Sequence, residues 1–538
     1  MKARPARQIS RKALALVAMA VAALASPSAV ATSAEPAIWE LTPYTIRAYV
    51  ALSDAPELTP RLAANLREAI VERVDSMIGS AWRLEAVPAP AELAAAMLRS
   101  LSTLSVDDLP AGLVDLDVDK LLLVTVTADH GVYQVAARDY DLRARRAGLV
   151  VTYEFQHRAK LADEAFRAML TAFVPLARVE GMIEDTKDTP AAEAKPAEAQ
   201  ASPTAGEQPA AGAETAPPPT AEAKQEDKPR NKQALLRLRA AGLSALDPSI
   251  VWVQPGDVFS PLKRTNDREN KLKKIDPIDW TCLRVQTIAG GELTCNMYSG
   301  RRDPLKGRRR GRVEYLALCV RAASGSSRLE LWSRGDGKNE ATKRRLPGYE
   351  VFSHPPDSTK TVLIGRSDME GAVTVPDDGG AVRVLLGMHG GEPLARLPLV
   401  PGVEPLLRAE IPDDDQRLEA DGLVHALQEN LVDLVARRQM FEVRCRDLIE
   451  KGKLDDARRI VDQMRRLGRQ EDFLSTIRQQ KERTYSAEKA TQKKIDKLFD
   501  DTEAVVNRFL SNAQIDKLEQ EINEKAREQP LVPAAGGG

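Results

Sequence analysis

The first part of the chain alternates between two spacings of apolar residues. Every second position between 46 and 52 is apolar, which predicts a strand. Every fourth position between 62 and 78 is apolar, and Pro60 and Gly79 lie where a helix with that spacing would start and end. The same reasoning predicts a strand near 82–84, a helix over 91–101, strands over 120–126, 132–140 and 149–157, and a helix over 161–173.

This order of elements, β-α-β-α-β-β-β-α, predicts a small α/β domain over residues 32–185. Helices in that order cover a mixed or largely antiparallel sheet rather than a doubly wound parallel one. The order and the hairpin over 121–140 resemble the TolB N-terminal domain and the domains of penicillin-binding-protein activator and curli-secretion lipoproteins. The resemblance implies a docking or assembly role in the cell envelope, without catalysis.

The chain then loses its apolar residues. No Val, Ile, Leu, Met, Phe, Trp, Tyr or Cys occurs between Ile183 and Leu235, and of the 40 residues from Pro190 to Pro229, 13 are Ala and 8 are Pro. Such a segment has almost nothing to bury against the entropy that ordering would cost. Residues 186–231 are therefore predicted to be a disordered linker, and the parts before and after it are expected to fold separately.

Strand-like sequence dominates after the linker. A short helix is predicted over 232–241, and short apolar runs separated by polar turns then indicate a β-barrel or β-sandwich over 232–345. A second β unit, sandwich-like, is predicted over 346–411. There Ser367, Asp368 and Gly371 resemble the Thr-Asp-x-x-Gly turn of carboxypeptidase-regulatory-like, transthyretin-like sandwiches, with Ser in place of Thr. That resemblance implies that Asp368 and Gly371 shape a tight turn between strands.

The pattern becomes helical over residues 412–530. An apolar stripe from Val424 to Leu448 stops at Lys451 and Gly452, which fit the end of a helix. A returning helix is predicted over 454–467, followed by helices over 495–509 and 515–522. Because no 34-residue repeat is sustained, the pattern favours helical hairpins, in a bundle or a coiled coil that binds a partner, over a solenoid. Residues 531–538 are predicted to be a disordered tail, which completes a multidomain α+β chain.

The N-terminus predicts export. Five Lys and Arg residues and no acid precede a 13-residue apolar run from Ala13 to Ala25, and small residues at Ala29 and Ala31 fit a signal-peptidase site. Residues 1–31 are therefore predicted to be a signal peptide cleaved after Ala31. An uncleaved anchor is the alternative, but 13 residues of helix cover only about 20 Å of a hydrocarbon core of roughly 30 Å. The mature protein is expected to be periplasmic or extracellular, with no transmembrane segment.

Composition adds limits to this architecture. The 538 residues are 43% hydrophobic and 29% charged, with a net charge of −1, which is ordinary for a soluble multidomain protein. Two features disfavour nucleic acid as a partner: the export signal and an aromatic content of only 4%. Four cysteines cannot form a disulfide framework, but they allow one disulfide among Cys282, Cys295 and Cys319, with Cys282–Cys295 flanking a predicted hairpin.

Known catalytic and metal-binding patterns are missing from the sequence. It has no His-Glu-x-x-His, Cys-x-x-Cys, Gly-x-Ser-x-Gly, Walker A or Gly-x-Gly-x-x-Gly motif. Acidic pairs such as Asp377-Asp378 and the run 413–415 fall in predicted loops, where they are expected to solvate turns. No catalytic residue, metal site or cofactor is therefore predicted, and the protein is expected not to be an enzyme.

A cluster of basic residues is the strongest candidate for binding. Its arginines carry guanidinium groups that can clamp phosphates or carboxylates, and the alternative is a solvated hairpin loop. The charged segment Arg138–Asp141 is likewise interpreted either as a docking face or as the solvent side of a strand. The basic cluster, called the basic loop below, contains Arg301, Arg302, Lys306, Arg308, Arg309, Arg310 and Arg312.

Three functions are consistent with these patterns. The first is a non-enzymatic extracytoplasmic adaptor that binds an envelope protein. The second is a module that binds a glycan or an anionic cell-wall polymer through the basic loop, Trp280 and Trp332, and the third is a hydrolase with an unrecognised site. The whole arrangement, with its run Leu394–Gly402, also resembles a family of exported bacterial multidomain proteins, from which no function follows.

Overall fold

The computed structural model describes residues 38–114, 116–183, 232–269, 271–306, 312–322, 325–335, 340–377 and 379–528. The predicted signal peptide (1–31), linker (186–231) and tail (531–538) lie outside these ranges. Within them the protein is a mixed α+β structure with several sheets and C-terminal helices, as the sequence predicted.

The N-terminal sheet has five strands in the order β2-β1-β3-β4-β5. Strand β1 pairs in parallel with β2 and β3, and the remaining pairs are antiparallel, so the predicted mixed sheet is confirmed. Helices α1 and α3 pack on one face and α2 on the other. The elements are β1 (Tyr44–Leu52), α1 (Pro60–Arg73), β2 (Trp82–Pro88), α2 (Ala91–Arg99), β3 (Lys120–Asp129), β4 (Val132–Asp141), β5 (Arg146–Phe155) and α3 (Leu161–Ala172).

A six-stranded barrel follows, and one of its strands precedes the linker. The sheet runs β10-β11-β7-β6-β12-β8 and closes where Leu283 and Arg284 of β10 pair with Phe259 and Val258 of β8, while β9 extends β8 outside the ring. The prediction of a barrel or sandwich is therefore confirmed. The strands are β6 (Leu176–Ile183), β7 (Lys232–Leu238), β8 (Val258–Asn266), β9 (Leu272–Pro277), β10 (Thr281–Ala289), β11 (Glu292–Ser299) and β12 (Val313–Val320).

The expectation that the parts before and after the linker fold separately is wrong. Strands β6 and β7 are antiparallel neighbours, with Ala177 opposite Leu238 and Ile183 opposite Gln233. One apolar cluster also extends from the N-terminal sheet into the barrel. The predicted domain boundary at 185 therefore divides a sheet, because the apolar residues on both sides of the linker are buried against each other.

The helix predicted over 232–241 is also wrong, because this segment contains strand β7. Ala234, Leu236 and Leu238 are buried at every second position, as a strand requires. Lys, Gln, Ala, Leu and Arg favour helix locally, but hydrogen bonding to β6 on one side and β11 on the other overrides that preference.

A seven-stranded sandwich packs next to the barrel. One sheet has the order β16-β13-β19 and the other β15-β14-β17-β18, and their facing residues form one core. Because β13 lies before residue 346, the predicted boundary between 345 and 346 also cuts through a sheet. The strands are β13 (Ser327–Ser333), β14 (Glu350–His354), β15 (Val362–Arg366), β16 (Ala372–Val375), β17 (Arg383–His389), β18 (Glu392–Leu399) and β19 (Leu406–Ile411).

The C-terminal region consists of five helices around two apolar clusters. The long first helix ends at Glu450, with Lys451 as its C-cap and Gly452 at φ +70° after it, as the sequence predicted. The helix over 470–483 was not predicted, because it buries only Ile477 and so lacks an apolar stripe. The helices are α4 (Asp415–Glu450), α5 (Leu454–Arg466), α6 (Gln470–Arg483), α7 (Lys489–Phe509) and α8 (Ala513–Glu528). Of the helices that the structure describes, none is both long and apolar enough to cross a membrane.

Candidate functional site

A buried lysine joins the N-terminal domain to the barrel. The Nζ atom of Lys120 lies 2.8 Å from Asp139 Oδ2 and 2.9 Å from Asp141 Oδ2, and all three side chains are at most 2% exposed. Asp139 Oδ2 also accepts a hydrogen bond of 2.8 Å from the backbone N–H of Val174, just before β6. Burial opposes the charge on Lys120, but the two carboxylates outweigh it and raise its pKa, so the lysine stays protonated.

The pKa of Asp139 is raised above its ordinary value of 3.8. Burial raises it to about 6, the Lys120 ammonium opposes that rise, and the nearby Asp141 carboxylate adds to it. The second carboxylate oxygen, Oδ1, is buried and has no hydrogen-bond partner, which agrees with a carboxylate that is costly to keep ionised.

A second ion pair lies beside the first. The Arg239 guanidinium, directly after β7, donates to both oxygens of Asp119 at 2.7 and 2.6 Å, and Arg143 donates to Asp119 Oδ1 at 2.6 Å. Burial would raise the pKa of Asp119, but the attraction of Arg239 and hydrogen bonds from Thr45 lower it. We call the set Asp119, Lys120, Asp139, Asp141 and Arg239 the buried joint.

The buried joint corrects the interpretation of Arg138–Asp141 as the solvent side of a strand. Asp139, Tyr140 and Asp141 are almost inaccessible to solvent, and Arg138 donates to the backbone carbonyls of Leu101, Ser102 and Leu104. Most of their partners lie within the N-terminal domain, and Asp139 also contacts Val174, just before barrel strand β6. One signal in the sequence was available, because Lys120 opens the apolar run 121–124, and a lysine in such a strand needs a buried acid.

A second polar cluster joins the sandwich to the helices. Arg344 donates to both oxygens of Asp413 at 2.7 Å and to Asp415 at 2.6 Å, and the Tyr349 hydroxyl accepts a 3.0 Å hydrogen bond from the backbone of Asp414. The ring of His389 stacks on that of Tyr349, with centroids 4.0 Å apart. We call the set Arg344, Tyr349, His389, Asp413 and Asp415 the exposed joint. The sequence predicted only that the acids at 413–415 solvate a loop, but Asp413 and Asp415 also pair with Arg344 across the interface between the sandwich and the helices.

A cleft of about 590 Å³ lies where the N-terminal domain, the barrel and the sandwich meet. Its walls come from β5, from β8 and the segment before β10, from the end of β12, and from the residues between β18 and β19. Val174, which the buried joint holds, forms part of the wall. Sites for ligands occur preferentially at such junctions of domains. A wider depression beside α1 is shallow and belongs to one domain, so it is the weaker candidate.

The charged side chains of the cleft leave an excess of positive charge. Arg138, Arg146, Arg321 and Arg408 line it together with two acids, Asp279 and Glu404, so four positive charges face two negative ones. Arg146 and Glu404 form an ion pair of 2.6 Å that joins the N-terminal domain to the sandwich. Arg408 is also paired with Glu340, outside the cleft wall, which leaves a net charge of +1 that favours an anionic ligand.

The cleft is continuous with the basic loop. Gly300 donates a 2.9 Å backbone hydrogen bond to Trp280, and the hydroxyls of Ser299 and Thr281 lie 2.9 Å apart. Burial raises the pKa of the cleft carboxylate Asp279, and the positive charges of Arg301 and Arg146 oppose the rise. Arg301 therefore lies near enough to act on the cleft. Trp280 adopts φ +56°, an unfavourable conformation for a bulky residue that is often found at functional sites.

Only part of the predicted basic loop is described. Arg301, Arg302, Lys306 and Arg312 are exposed, while Arg308, Arg309 and Arg310 lie outside the described residues. Lys232, at the start of β7, donates to the carbonyl of Arg302 at 2.7 Å and to Asp303 at 2.6 Å. The base of the loop is therefore held against the strand that follows the linker.

The two tryptophans proposed for glycan binding are not exposed platforms. Trp280 is half-buried against the sandwich core. The ring of Trp332 is covered by the guanidinium groups of Arg408 and Arg345, 4.1 and 5.3 Å from its centroid. The ring of Trp332 therefore offers no free face on which a sugar would stack, whereas Trp280 lines the cleft.

The disulfide that the sequence allows between Cys282 and Cys295 is not formed. All four cysteines are buried and free. Cys282 pairs across the hairpin with Tyr298, whereas Cys295 pairs with Val285, three positions away. At about 3.4 Å per residue this offset exceeds the span of a disulfide. Cys282 and Cys319 line the cleft, but burial raises both of their pKa values to about 12, so neither is a ready nucleophile.

Asp368 and Gly371 lie in a tight turn between β15 and β16. Asp368 Oδ1 accepts backbone hydrogen bonds from Glu370 at 3.0 Å and Ala372 at 2.7 Å. Gly371 has φ +72°, and a Cβ atom there would lie 2.7 Å from the carbonyl oxygen of Leu331. These contacts account for an aspartate and a glycine at this spacing.

Comparisons with known proteins leave the family open. No protein-family model matches the chain, and no curated protein sequence does. Among solved structures, the chain is similar to the crystal structure of TolB from Acinetobacter baumannii, at 11% identity over 69% of this chain and 96% of that one. The TM-score is 0.17, so this similarity carries no argument about fold or function.

The ionisable side chains that line the cleft are four arginines, two acids and two cysteines. The described residues that line it include no histidine, and its arginines already bind carbonyls or carboxylates. In the described part of the chain, no group of three His, Cys, Asp or Glu side chains could hold a metal ion. The sequence did not reveal the cleft, because its walls come from segments more than 250 residues apart.

Proposed function

We propose that this protein is a non-enzymatic adaptor that works outside the cytoplasm, in the cell envelope, and binds an acidic segment of a partner protein in the cleft between its three domains. The observation that carries the proposal is the positive cleft and its continuity with the basic loop. An acidic segment would neutralise the excess of arginine. The predicted signal peptide over 1–31 supports the location.

The apolar part of the cleft supports an extended protein segment as the ligand. Leu149, Ile278, Trp280, Leu399 and Leu407 line it beside the arginines. A segment that alternates acidic and apolar residues could place carboxylates on the arginines and side chains on the apolar wall. Guanidinium groups bind carboxylates with two parallel hydrogen bonds, which gives such a site selectivity.

A labelled peptide of alternating Glu and Leu tests this proposal by fluorescence anisotropy. We expect saturable binding that weakens with added salt, because the ligand and the cleft have opposite charges. The double variant Arg301→Gln and Arg321→Gln should weaken binding about tenfold, the effect of losing roughly 1.4 kcal/mol. The control Arg61→Gln removes an exposed arginine at the start of α1 and should leave binding within about twofold.

Two results would overturn the proposal: no saturable binding of the peptide, or an equal loss in Arg61→Gln and in the double variant. An anionic cell-wall polymer is the second candidate ligand, because the same positive charge would attract it. Sedimentation with purified peptidoglycan separates the two. Binding to peptidoglycan that depends on Arg301 and Arg321, without binding to the peptide, would assign the cleft to the polymer.

A further inference from the structure

The long helix α4 carries an apolar stripe on the side that faces away from the helical core. Val432, Met440 and Val443 are 67%, 66% and 69% exposed, and Ala436 lies between them and is also exposed. Positions 432, 436, 440 and 443 fall on one face of a helix. Contiguous exposed apolar residues of this kind mark interaction surfaces more often than single ones do.

The opposite face of α4 already has its partners. Leu431, Leu434, Arg438 and Cys445 are buried against the neighbouring helices. The apolar stripe therefore contributes nothing to the fold of the helical region, and its exposure needs a different explanation.

Charged residues beside the stripe indicate what covers it. Asp433 and Arg444 both lie on the same flank of the stripe and are exposed. Neither forms an ion pair within the described residues, whereas nearby Arg446 and Asp447 are paired with Glu442 and Lys451. An unpaired acid at one end and an unpaired base at the other suit a partner with the reverse order of charges.

The stripe is its own complement when two copies run antiparallel. A two-fold axis near position 438 places Val432 opposite Val443 of a second copy and Ala436 opposite Met440 of that copy. The same axis places Asp433 opposite Arg444, and symmetry repeats this pair. Ala436 at the centre allows the two helices to approach closely.

The ends of the stripe are compatible with this pairing. Glu429 and Asp447 would lie near each other across the axis, which by itself would repel. Asp447 has a cation beside it in its own chain, since Lys451 Nζ lies 2.7 Å from it, and that cation reduces the repulsion. We propose that the protein forms an antiparallel homodimer through Val432, Asp433, Ala436, Met440, Val443 and Arg444 of helix α4.

The interface is small, so the dimer should be weak. Four apolar residues from each chain make a contact below the usual size of a stable interface, so we expect weak association, with a dissociation constant on the order of micromolar. Sedimentation equilibrium of the full chain, at about 1 to 100 μM, should therefore show a monomer–dimer equilibrium.

A charge exchange tests the antiparallel arrangement. Asp433→Arg alone and Arg444→Asp alone should each raise the dissociation constant about tenfold or more, because each places like charges opposite one another. The double variant restores opposite charges in exchanged positions and should return to within about threefold of the wild type. All four forms should unfold alike, since both residues are exposed. Asp501→Arg, which changes an exposed acid on α7, is the matched control and should dimerise as the wild type does.

Several results would overturn the proposal. The first is a wild type that stays monomeric at every concentration. The second is a pair of single variants with the same dissociation constant as the wild type. The third is a double variant that dimerises no better than the single variants. A monomer that binds phosphatidylglycerol vesicles, and loses that binding in Val443→Asp, would assign the stripe to a membrane surface instead.

Discussion

The buried joint and the exposed joint connect domains with similar residue types but in different surroundings. In the buried joint, Lys120 and its two carboxylates are removed from water, so each charge depends on its partner. In the exposed joint, Arg344 is 49% exposed and its pairs with Asp413 and Asp415 compete with solvent. Loss of a partner leaves an unpaired buried charge in the first case and a hydrated one in the second.

This difference predicts a rigid connection between the N-terminal domain and the barrel, and a weaker connection between the sandwich and the helices. The N-terminal domain and the barrel also share an apolar core, in which Trp82 and Phe173 pack with ring centroids 4.6 Å apart, and Phe173 and Trp252 at 5.3 Å. They should therefore unfold together. The helical region has apolar clusters of its own, so it can separate from the sandwich at a smaller cost.

The largest expected effect is that of Lys120→Met. The substitution leaves Asp139 and Asp141 buried without a cation, which should lower the free energy of unfolding by about 3 to 5 kcal/mol. Urea unfolding followed by tryptophan fluorescence measures it. Adding Asp139→Asn and Asp141→Asn should recover part of the loss.

The control is Arg47→Met, which breaks an exposed ion pair. Arg47 is 26% exposed and its partner Glu85 is 60% exposed, so the free energy of unfolding should fall by less than about 1 kcal/mol. Equal costs for Lys120→Met and Arg47→Met would contradict the comparison.

The next effect concerns pH and Asp139. Its pKa in the folded protein is about 6, above the ordinary 3.8, so the folded chain holds an extra proton between these values. Its contribution to stability is complete below about pH 4 and is lost as the pH rises through 6, by at most about 3 kcal/mol. In Asp139→Asn, the free energy of unfolding should no longer fall as the pH rises from about 4 to 7, as measured by denaturant unfolding at each pH.

Asp119→Asn is the control for the sign of this effect. The pKa of Asp119 is lowered, so its contribution is present above the ordinary pKa and is lost only as the pH falls through the folded value. Between about pH 4 and 7, the free energy of unfolding that Asp119→Asn loses relative to the wild type should therefore stay nearly constant. The difference between Asp139→Asn and the wild type should change over the same range. A slope of the same size in the wild type and in Asp139→Asn would show that another group titrates.

The smallest effect is expected in the exposed joint. Arg344→Ala removes hydrogen bonds to Asp413 and Asp415, both of which water can replace in part, so the free energy of unfolding should fall by only about 1 kcal/mol. Limited proteolysis between β19 and α4 should become faster while the barrel and N-terminal domain remain intact. A loss as large as that of Lys120→Met, or cleavage within the barrel, would contradict a weaker connection between the sandwich and the helices.

Local patterns in the sequence predicted most elements but not their assembly. The alternation between 46 and 52 and the fourfold spacing between 62 and 78 gave β1 and α1, because a core-facing side follows directly from the spacing of apolar residues. The strand β7 was missed because its residue types favour helix, although Ala234, Leu236 and Leu238 carried a strand spacing. The cleft was missed because no single segment of sequence contains it.

The sequence by itself determined β1, α1, the end of the long helix α4 and the turn at Asp368 and Gly371, since spacing, capping and turn chemistry act over a few residues. Tertiary structure alone decided that β6 and β7 pair across the linker and that Lys120 meets Asp139 and Asp141. A charged residue looks the same in sequence whether it is solvated or buried. Only the fold determines which charges lose water, and that loss makes Lys120 depend on its two carboxylate partners.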